Sequence, residues 1–214
     1  MKTFRSSLLF FSLYAALFIS GCGQEPSGEH DQCSMSTGGY LITKNCRLLS
    51  WGNNLPIILT KEEPLPSDIS IAIDDAARTW ELATGMNLFE VQTQRMSVQS
   101  TINHQFNIIG IRGSQSWTGS PIDGKVDEPA KTVYFYHTTL YNSNIFFNEA
   151  FLNEAKGNYD YFSIALHELG HVLGLDHDDS TTPSISIMNS KIKMKEKRQL
   201  SERDITRVRS LYGF

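Results

Sequence analysis

The sequence predicts an α+β domain, and three observations carry that prediction. Five short apolar runs of strand length recur at residues 55–60, 88–92, 107–111, 132–137 and 144–148. Hydrophobic residues repeat at three- and four-residue steps in three longer stretches, which begin near residues 67, 160 and 201. In chain order this gives strand, helix, several strands, helix and a last helix, so most strands lie together between the first helix and the final two.

The N-terminal residues stand apart from that domain. Lys2 and Arg5 form a positive n-region, and residues 8–19 form an apolar h-region too short to span a bilayer comfortably. The segment ends Ile19-Ser20-Gly21-Cys22. This resembles a bacterial lipobox, in which Cys22 is lipidated and becomes the new N-terminus. The alternative is an ordinary secretory signal cut nearby, with Cys22 incidental. Two or more acyl chains on Cys22 anchor a protein stably, where one does not. The lipobox reading therefore expects an exported protein on a bacterial membrane. The outer membrane or cell surface is favoured, because Gly23 is not the aspartate that retains many enterobacterial lipoproteins inside. With Cys22 accounted for, Cys33 and Cys46 are an even pair in an exported chain, and a disulfide between them is expected. The expected organisation is a leader at 1–21, a lipid-anchored tether at 22–50, and one domain at 51–214. The formal charge of −4 becomes more negative once Lys2 and Arg5 are gone, which argues against a nucleic-acid partner. A monomer is expected.

Within the domain, residues 55–60 precede Pro64 and Pro66 and read as a strand. Ser67 is placed to cap a helix starting at Asp68, whose apolar face is Ile69, Ile73, Ala76, Trp80 and Ala83 and which Gly85 ends. Strands at 88–92 and 107–111 follow. Residues 113–129 are rich in Gly, Ser, Pro and Asp and read as a long surface loop. Asp123, Asp127 and Glu128 in that loop are of a type that can hold Ca2+, but a solvated loop carries the same residues more often, so no calcium site is assigned. After the strands at 132–137 and 144–148, a helix is expected to begin near Asp160. Phe162, Ala165, Leu166, Leu169, Val172 and Leu173 share its apolar surface. Lys191, Lys193, Lys195, Lys197 and Arg198, interrupted by Glu196, read as a solvated connector. Ser201-Glu202-Arg203-Asp204 is a helix-start box, and Ile205, Val208, Leu211 and Tyr212 form the stripe that follows.

The chemistry concentrates in residues 167–177, His-Glu-Leu-Gly-His-Val-Leu-Gly-Leu-Asp-His. His167 and His171 are four apart, so on a helix they project from one face. Neutral imidazole is a good ligand for Zn2+. Glu168 lies beside the first ligand, where a general base belongs. Gly174 can take the left-handed conformation that stops a helix, letting the chain turn back and bring in His177. Three protein ligands leave a fourth position for water, the pattern of a catalytic zinc site. His30, His104 and His137 have no partner at ligand spacing and read as ordinary structural histidines.

This extended pattern resembles the metzincins, a clan of zinc peptidases, in which a methionine turn lies beneath the metal. Met188, in Ser186-Ile187-Met188-Asn189, is the candidate for that role. The element order, the segments 144–148 and 163–166, and the motif from Leu200 to Gly213 are similar to the matrixin branch over most of residues 51–214. The resemblance implies a twisted, mostly parallel sheet with one antiparallel edge strand, an active-site helix, a methionine turn and a C-terminal helix. It also implies a zinc-dependent endopeptidase that hydrolyses extended protein substrates by Glu168-assisted attack of a zinc-bound water. By position, 132–137 is the edge strand, so substrate is expected to pair with Val133, Tyr134, Phe135 and Tyr136. Two features depart from the pattern: Asn189-Ser190-Lys191 stand where an aromatic and a proline usually follow the methionine, and Asp178 follows the third histidine. Two alternatives remain: a surface lipoprotein that uses a metal-supported fold only to bind a partner, and a zinc hydrolase of cell-wall amides. A latency switch, with Cys33 or Cys46 capping the zinc, has no supporting motif.

Overall fold

The computed structural model describes residues 19–21, 38–95, 105–120, 122–125, 127–154, 159–179, 186–191 and 196–213. Cys22, Cys33, most of the leader, and Lys193 and Lys195 lie outside the described residues, so the lipobox and the Cys33–Cys46 pairing are not tested by it. No helix among the described residues is long and apolar enough to cross a membrane.

Among the described residues, six strands form one mixed sheet. They are β1 (Ile19–Gly21), β2 (Ile57–Glu62), β3 (Phe89–Gln94), β4 (Asn107–Arg112), β5 (Ala130–Tyr136) and β6 (Leu140–Asn148), in the spatial order β1-β5-β6-β4-β2-β3. Strands β3, β2, β4 and β6 are mutually parallel, and β5 runs antiparallel to β6. The mostly parallel sheet with an antiparallel strand beyond β6 is as the sequence implies.

One expectation about that strand is corrected. Strand β5 is not the free edge, because β1 pairs antiparallel with it and sets Ile19, Ser20 and Gly21 opposite Tyr134, Val133 and Thr132. An outer strand carries a row of unpaired N–H and C=O groups, and a short extended segment of the same chain satisfies part of that row.

Two helices cover the inner face of the sheet. Helix α1 (Ser67–Thr84) buries Ile69, Ile73, Ala76, Ala77 and Trp80. Gly85, with φ 75°, ends it as expected. The start differs: Pro66, not Ser67, is the N-cap, and no side chain caps the helix. Pro66 has the fixed φ that suits this boundary, and its carbonyl accepts the Ser70 N–H at 2.9 Å. Helix α4 (Tyr161–Val172) packs across α1 and is buried from Ser163 to Val172. Helix α5 (Glu202–Tyr212) closes the chain, capped reciprocally by Ser201 and Asp204. Its stripe is less apolar than the periodicity suggests. Val208 is fully buried, but Asp204 and Arg207 are the other buried residues, for reasons that lie in the site below.

Residues 113–129 are more than a surface loop. Helix α2 (Ser114–Thr118) interrupts them, and Trp117 and Ile122 are buried against Ile108, Val133, Phe135 and Phe146 on the outer face of the sheet. The Trp117 indole N–H donates to the Lys125 carbonyl at 2.7 Å. The polar groups of this segment serve the segment itself: Glu128 accepts from the Lys125 N–H, and the buried Lys131 ammonium donates to the Asp123 carbonyl, both at 2.8 Å. A smaller helix, α3 (Glu149–Glu154), follows β6 directly.

This second core makes a test possible. A true surface loop tolerates truncation of one side chain, whereas Trp117→Ala here is expected to lower the unfolding free energy by about 3–5 kcal/mol. Urea denaturation followed by far-UV dichroism measures it, and a change below about 1 kcal/mol contradicts a packed second core.

Candidate metal centre

Helix α4 is pinned at both ends. At its start the Asp160 carboxylate accepts from the Ser163 N–H at 3.1 Å and the Ser163 hydroxyl at 2.6 Å. Further along, the Trp80 indole donates to the Leu166 carbonyl at 2.9 Å and the Trp51 indole to the Val172 carbonyl at 2.7 Å. The Tyr212 hydroxyl donates to the Leu173 carbonyl at 3.0 Å. Carbonyls at a helix end lack intrahelical partners, and for Val172 and Leu173 the side chains of Trp51 and Tyr212 supply them. Gly174 then turns the chain at φ 98°, and a Cβ there would run into the Leu49 carbonyl. Beyond the turn, Leu175 bridges to Tyr40 and the Asp176 N–H donates to the Gly39 carbonyl at 2.8 Å. That fixes the approach of His177.

These constraints bring His167, His171 and His177 together, with one ligating nitrogen from each within 4.8 Å of the others. Among the described residues this is the one such group of three or more metal-ligating side chains. His167 Nδ1 donates to the Ile187 carbonyl and His171 Nδ1 to the Leu175 carbonyl, each at 2.8 Å. Those bonds fix the tautomers and leave both Nε2 atoms as unprotonated acceptors. Yet the two Nε2 atoms are only 3.1 Å apart and buried. Two facing lone pairs at that distance repel one another unless a cation lies between them. Nitrogens bound tetrahedrally to Zn2+ at about 2.05 Å stand roughly 3.3 Å apart, so the donor set and its spacing fit that ion.

Electrostatics favour the same occupant. Burial lowers the pKa of His167 to about 3, helped by the His177 charge. His171 is lowered well below its ordinary value by burial and by its two neighbours. Burial lowers His177 too, with the Asp176 and Asp179 carboxylates acting against it. All three rings are therefore neutral near pH 7, the form that binds a metal. Burial pushes the Glu168 carboxyl up to about 8, against a hydrogen bond from Thr132 that favours the charged form. A dication in the neighbouring site pulls the same carboxyl back down.

The methionine turn lies beneath the histidines. Met188 is fully buried, and a Cβ at Gly170 would run into its sulfur, so the glycine of the motif makes the room the methionine fills. Helix α5 holds this turn. The buried Asp204 carboxylate accepts from the Ser186 hydroxyl at 2.6 Å, the Ile187 N–H at 3.0 Å and Arg207 Nη2 at 2.8 Å. Asp178, next to the third histidine, takes Arg203 at 2.5 Å and Arg207 at 3.6 Å, and its N–H donates to the Met188 carbonyl at 2.9 Å. One charge network thus ties the last helix to the carbonyl that orients His167 and to the loop that carries His177.

Other expected positions fare differently. Arg198 is buried rather than part of a solvated connector. It donates to the Asn189 carbonyl at 2.8 Å and to the Lys191 carbonyl, and so braces the Asn189-Ser190-Lys191 departure from within. Val133 and Phe135 face the outer core and Tyr134 the inner one, and β1 already meets the backbone of this strand from Thr132 to Tyr134. Sequence reasoning misses Thr132, Asp204 and Arg207 as site residues. Asp204 is visible only as a cap, and nothing in the sequence marks the other two.

A family model described as Matrixin matches residues 54–213. Stromelysin-1 of horse, Equus caballus, is 35% identical over 66 residues, 31% of this chain and 14% of that protein. The chain therefore aligns with only a small part of that relative's length. Among solved structures, high choriolytic enzyme 1, a hatching enzyme zinc-protease from the medaka Oryzias latipes, is 14% identical. It superposes with a TM-score of 0.39, and the match covers 77% of this chain and 94% of that one.

The buried imidazoles dictate how metal-free protein responds to pH. Folded pKa values below the ordinary 6.5 mean that the unfolded chain binds more protons, so stability falls as pH drops through 6.5 toward about 3. Glu168 acts in the opposite sense, favouring the fold below 4.5 and losing that contribution as pH rises through about 8. Three imidazoles outweigh one carboxyl, so the urea midpoint of chelator-treated protein is expected to fall between pH 6.5 and 5 and to rise on adding zinc at pH 7. A midpoint flat across that interval contradicts burial of neutral rings.

Proposed function

Because the chain belongs to the matrixin family of metalloproteases, we propose that it is a zinc-dependent endopeptidase acting on extended protein substrates. The observation that carries this reading is the pair of tautomer-locked imidazoles with facing Nε2 atoms, completed by His177 and flanked by the buried Glu168. His167, His171 and His177 are the residues that hold the ion. Bound there, Zn2+ supplies Lewis acidity, which lowers the pKa of a water and polarises a substrate carbonyl.

The remaining work falls to the chain. Glu168 takes a proton from the attacking water and returns it to the leaving amine. Burial raises the Glu168 carboxyl to about 8 and a dication beside it acts in the opposite sense, and a carboxyl under these opposed influences is suited to accepting a proton and then releasing it. The Ile187 and Leu175 carbonyls keep His167 and His171 aimed, and Met188 fills the space beneath them. Substrate lies extended along the outer side of β5 and pairs with its backbone. Strand β1 holds part of that row, from Thr132 to Tyr134. Its residues fall within the leader expected to end at Gly21, so export processing before Cys22 carries β1 away and opens the strand to substrate. In the same reading, lipid on Cys22 ties the mature protein to a membrane, and Cys33 pairs with Cys46.

Two experiments test this. Glu168→Gln is expected to bind zinc at full stoichiometry and lose peptide cleavage by about three orders of magnitude or more, the scale of removing an essential general base together with its charge. Normal casein digestion by that variant refutes the mechanism. Separately, protein beginning at Cys22 is expected to digest a peptide library faster than the full chain with its leader, and a chelator is expected to abolish both activities. Equal rates contradict β1 as an occupant of the substrate edge.

A further inference from the structure

Thr132 lies on β5, across the sheet–helix interface from α4, and is no part of the histidine set. Residues alternate along the strand. Lys131 and Val133 face the outer side, where Val133 packs in the second core, so Thr132 faces the helix. Its hydroxyl donates to Glu168 Oε2 at 2.6 Å, and the Glu168 carbonyl oxygen lies 3.2 Å from the same hydroxyl. The contact is dry: Thr132 is 0% exposed and Glu168 3%. One hydroxyl proton cannot serve two acceptors equally, and the shorter bond, to the group that carries charge, is the stronger. Thr132 is itself stiff. Its backbone is paired opposite Ile145 of β6, and a β-branched side chain has restricted χ1.

We propose that Thr132 is a positioning residue for the proton-transfer step, and the proposal rests on the peptidase reading of Glu168. The hydroxyl fixes Oε2, leaving Oε1 as the oxygen that exchanges protons with the reacting groups. As the water O–H bond breaks, its proton bonds to Oε1, the freed electron pair forms the new C–O bond to the substrate, and the π pair of the substrate carbonyl moves onto its oxygen. That pair then re-forms the C=O bond as the C–N bond breaks, the Oε1–H proton passes to the leaving nitrogen, and the carboxylate is restored. Throughout this cycle Oε2 remains an acceptor, first as a carboxylate oxygen and then as the carbonyl oxygen of the acid. The Thr132 hydrogen bond is therefore kept in both states, and the carboxyl need not rotate between them. Holding a reacting group in one geometry is the kind of contribution that appears in kcat rather than in substrate binding.

The test is steady-state cleavage of a fluorogenic peptide by the parent, Thr132→Val, Thr132→Ala, Thr132→Ser and Glu168→Gln, with zinc content and melting temperature measured on each. Removing the hydroxyl is expected to lower kcat about 10- to 100-fold, the scale of a lost hydrogen bond to a charged group, with KM and zinc content unchanged. Thr132→Ser restores the hydroxyl and is expected to return kcat to within about threefold of the parent. If Thr132→Val fails to fold, the Ala and Ser variants decide the same question. Unchanged kcat in the hydroxyl-free variants overturns the proposal, as does a Ser variant no better than they are, since the loss would then follow shape. An active Glu168→Gln protein sinks the assignment of Glu168 as the proton-transfer group and with it the role of Thr132, whereas a zinc-loaded parent that cleaves no peptide sinks the peptidase reading itself, which keeps the two failures distinct.

Discussion

Two ring nitrogens 3.1 Å apart, each with its own ring's other nitrogen committed to a carbonyl, set the terms for the rest of the molecule. Left alone, that pair is an electrostatic cost in a dry interior. The fold tolerates it because nearly every surrounding element holds the rings where they are. The indoles of Trp51 and Trp80 fix the helix that carries them, Gly174 turns the chain where no side chain would fit, and Gly170 yields its volume to Met188. The hydrophobic core and the metal centre are one construction, since the residues of α4 that build the first also present the second.

Charge plays a supporting part of the same kind. Buried ion pairs are poor evidence for stability, because desolvation offsets much of their attraction. The network of Asp178, Arg203, Asp204 and Arg207 is better understood as a set of directional constraints. Asp204 grips the methionine turn through one hydroxyl and one backbone N–H, and the carbonyl of Ile187, the residue so gripped, aims His167. Orientation of a metal ligand through its second nitrogen tunes both geometry and basicity. That explains why two charged residues are buried on α5 beside its apolar stripe.

What is legible in the sequence is local. His167, Glu168, His171, Gly174 and His177 fall within eleven residues, so helical geometry alone relates most of them. The cap of α5 and the glycine that ends α1 are equally local, and both form as read. Several of the misreadings share a cause, which is distance along the chain. Trp117 and Ile122 are solitary apolar residues among polar ones and show no period, because their partners come from three separate strands. Thr132 reaches Glu168 across 36 positions, and β1 pairs with residues more than a hundred further on. Arg198 reads as solvated because a basic run usually is, and only the fold reveals that its guanidinium is buried and turned to the Asn189 and Lys191 carbonyls.

The grip of α5 on the methionine turn also sets the order of events at birth. Ribosomes deliver the histidine motif well before Asp204 and Arg207, so a nascent chain carries the metal-binding letters while the clasp that aims His167 is still unmade. The aim of His167 is then set only once α5 has joined the methionine turn. A ligand set complete in its letters is thus aimed by a fastening that is translated later.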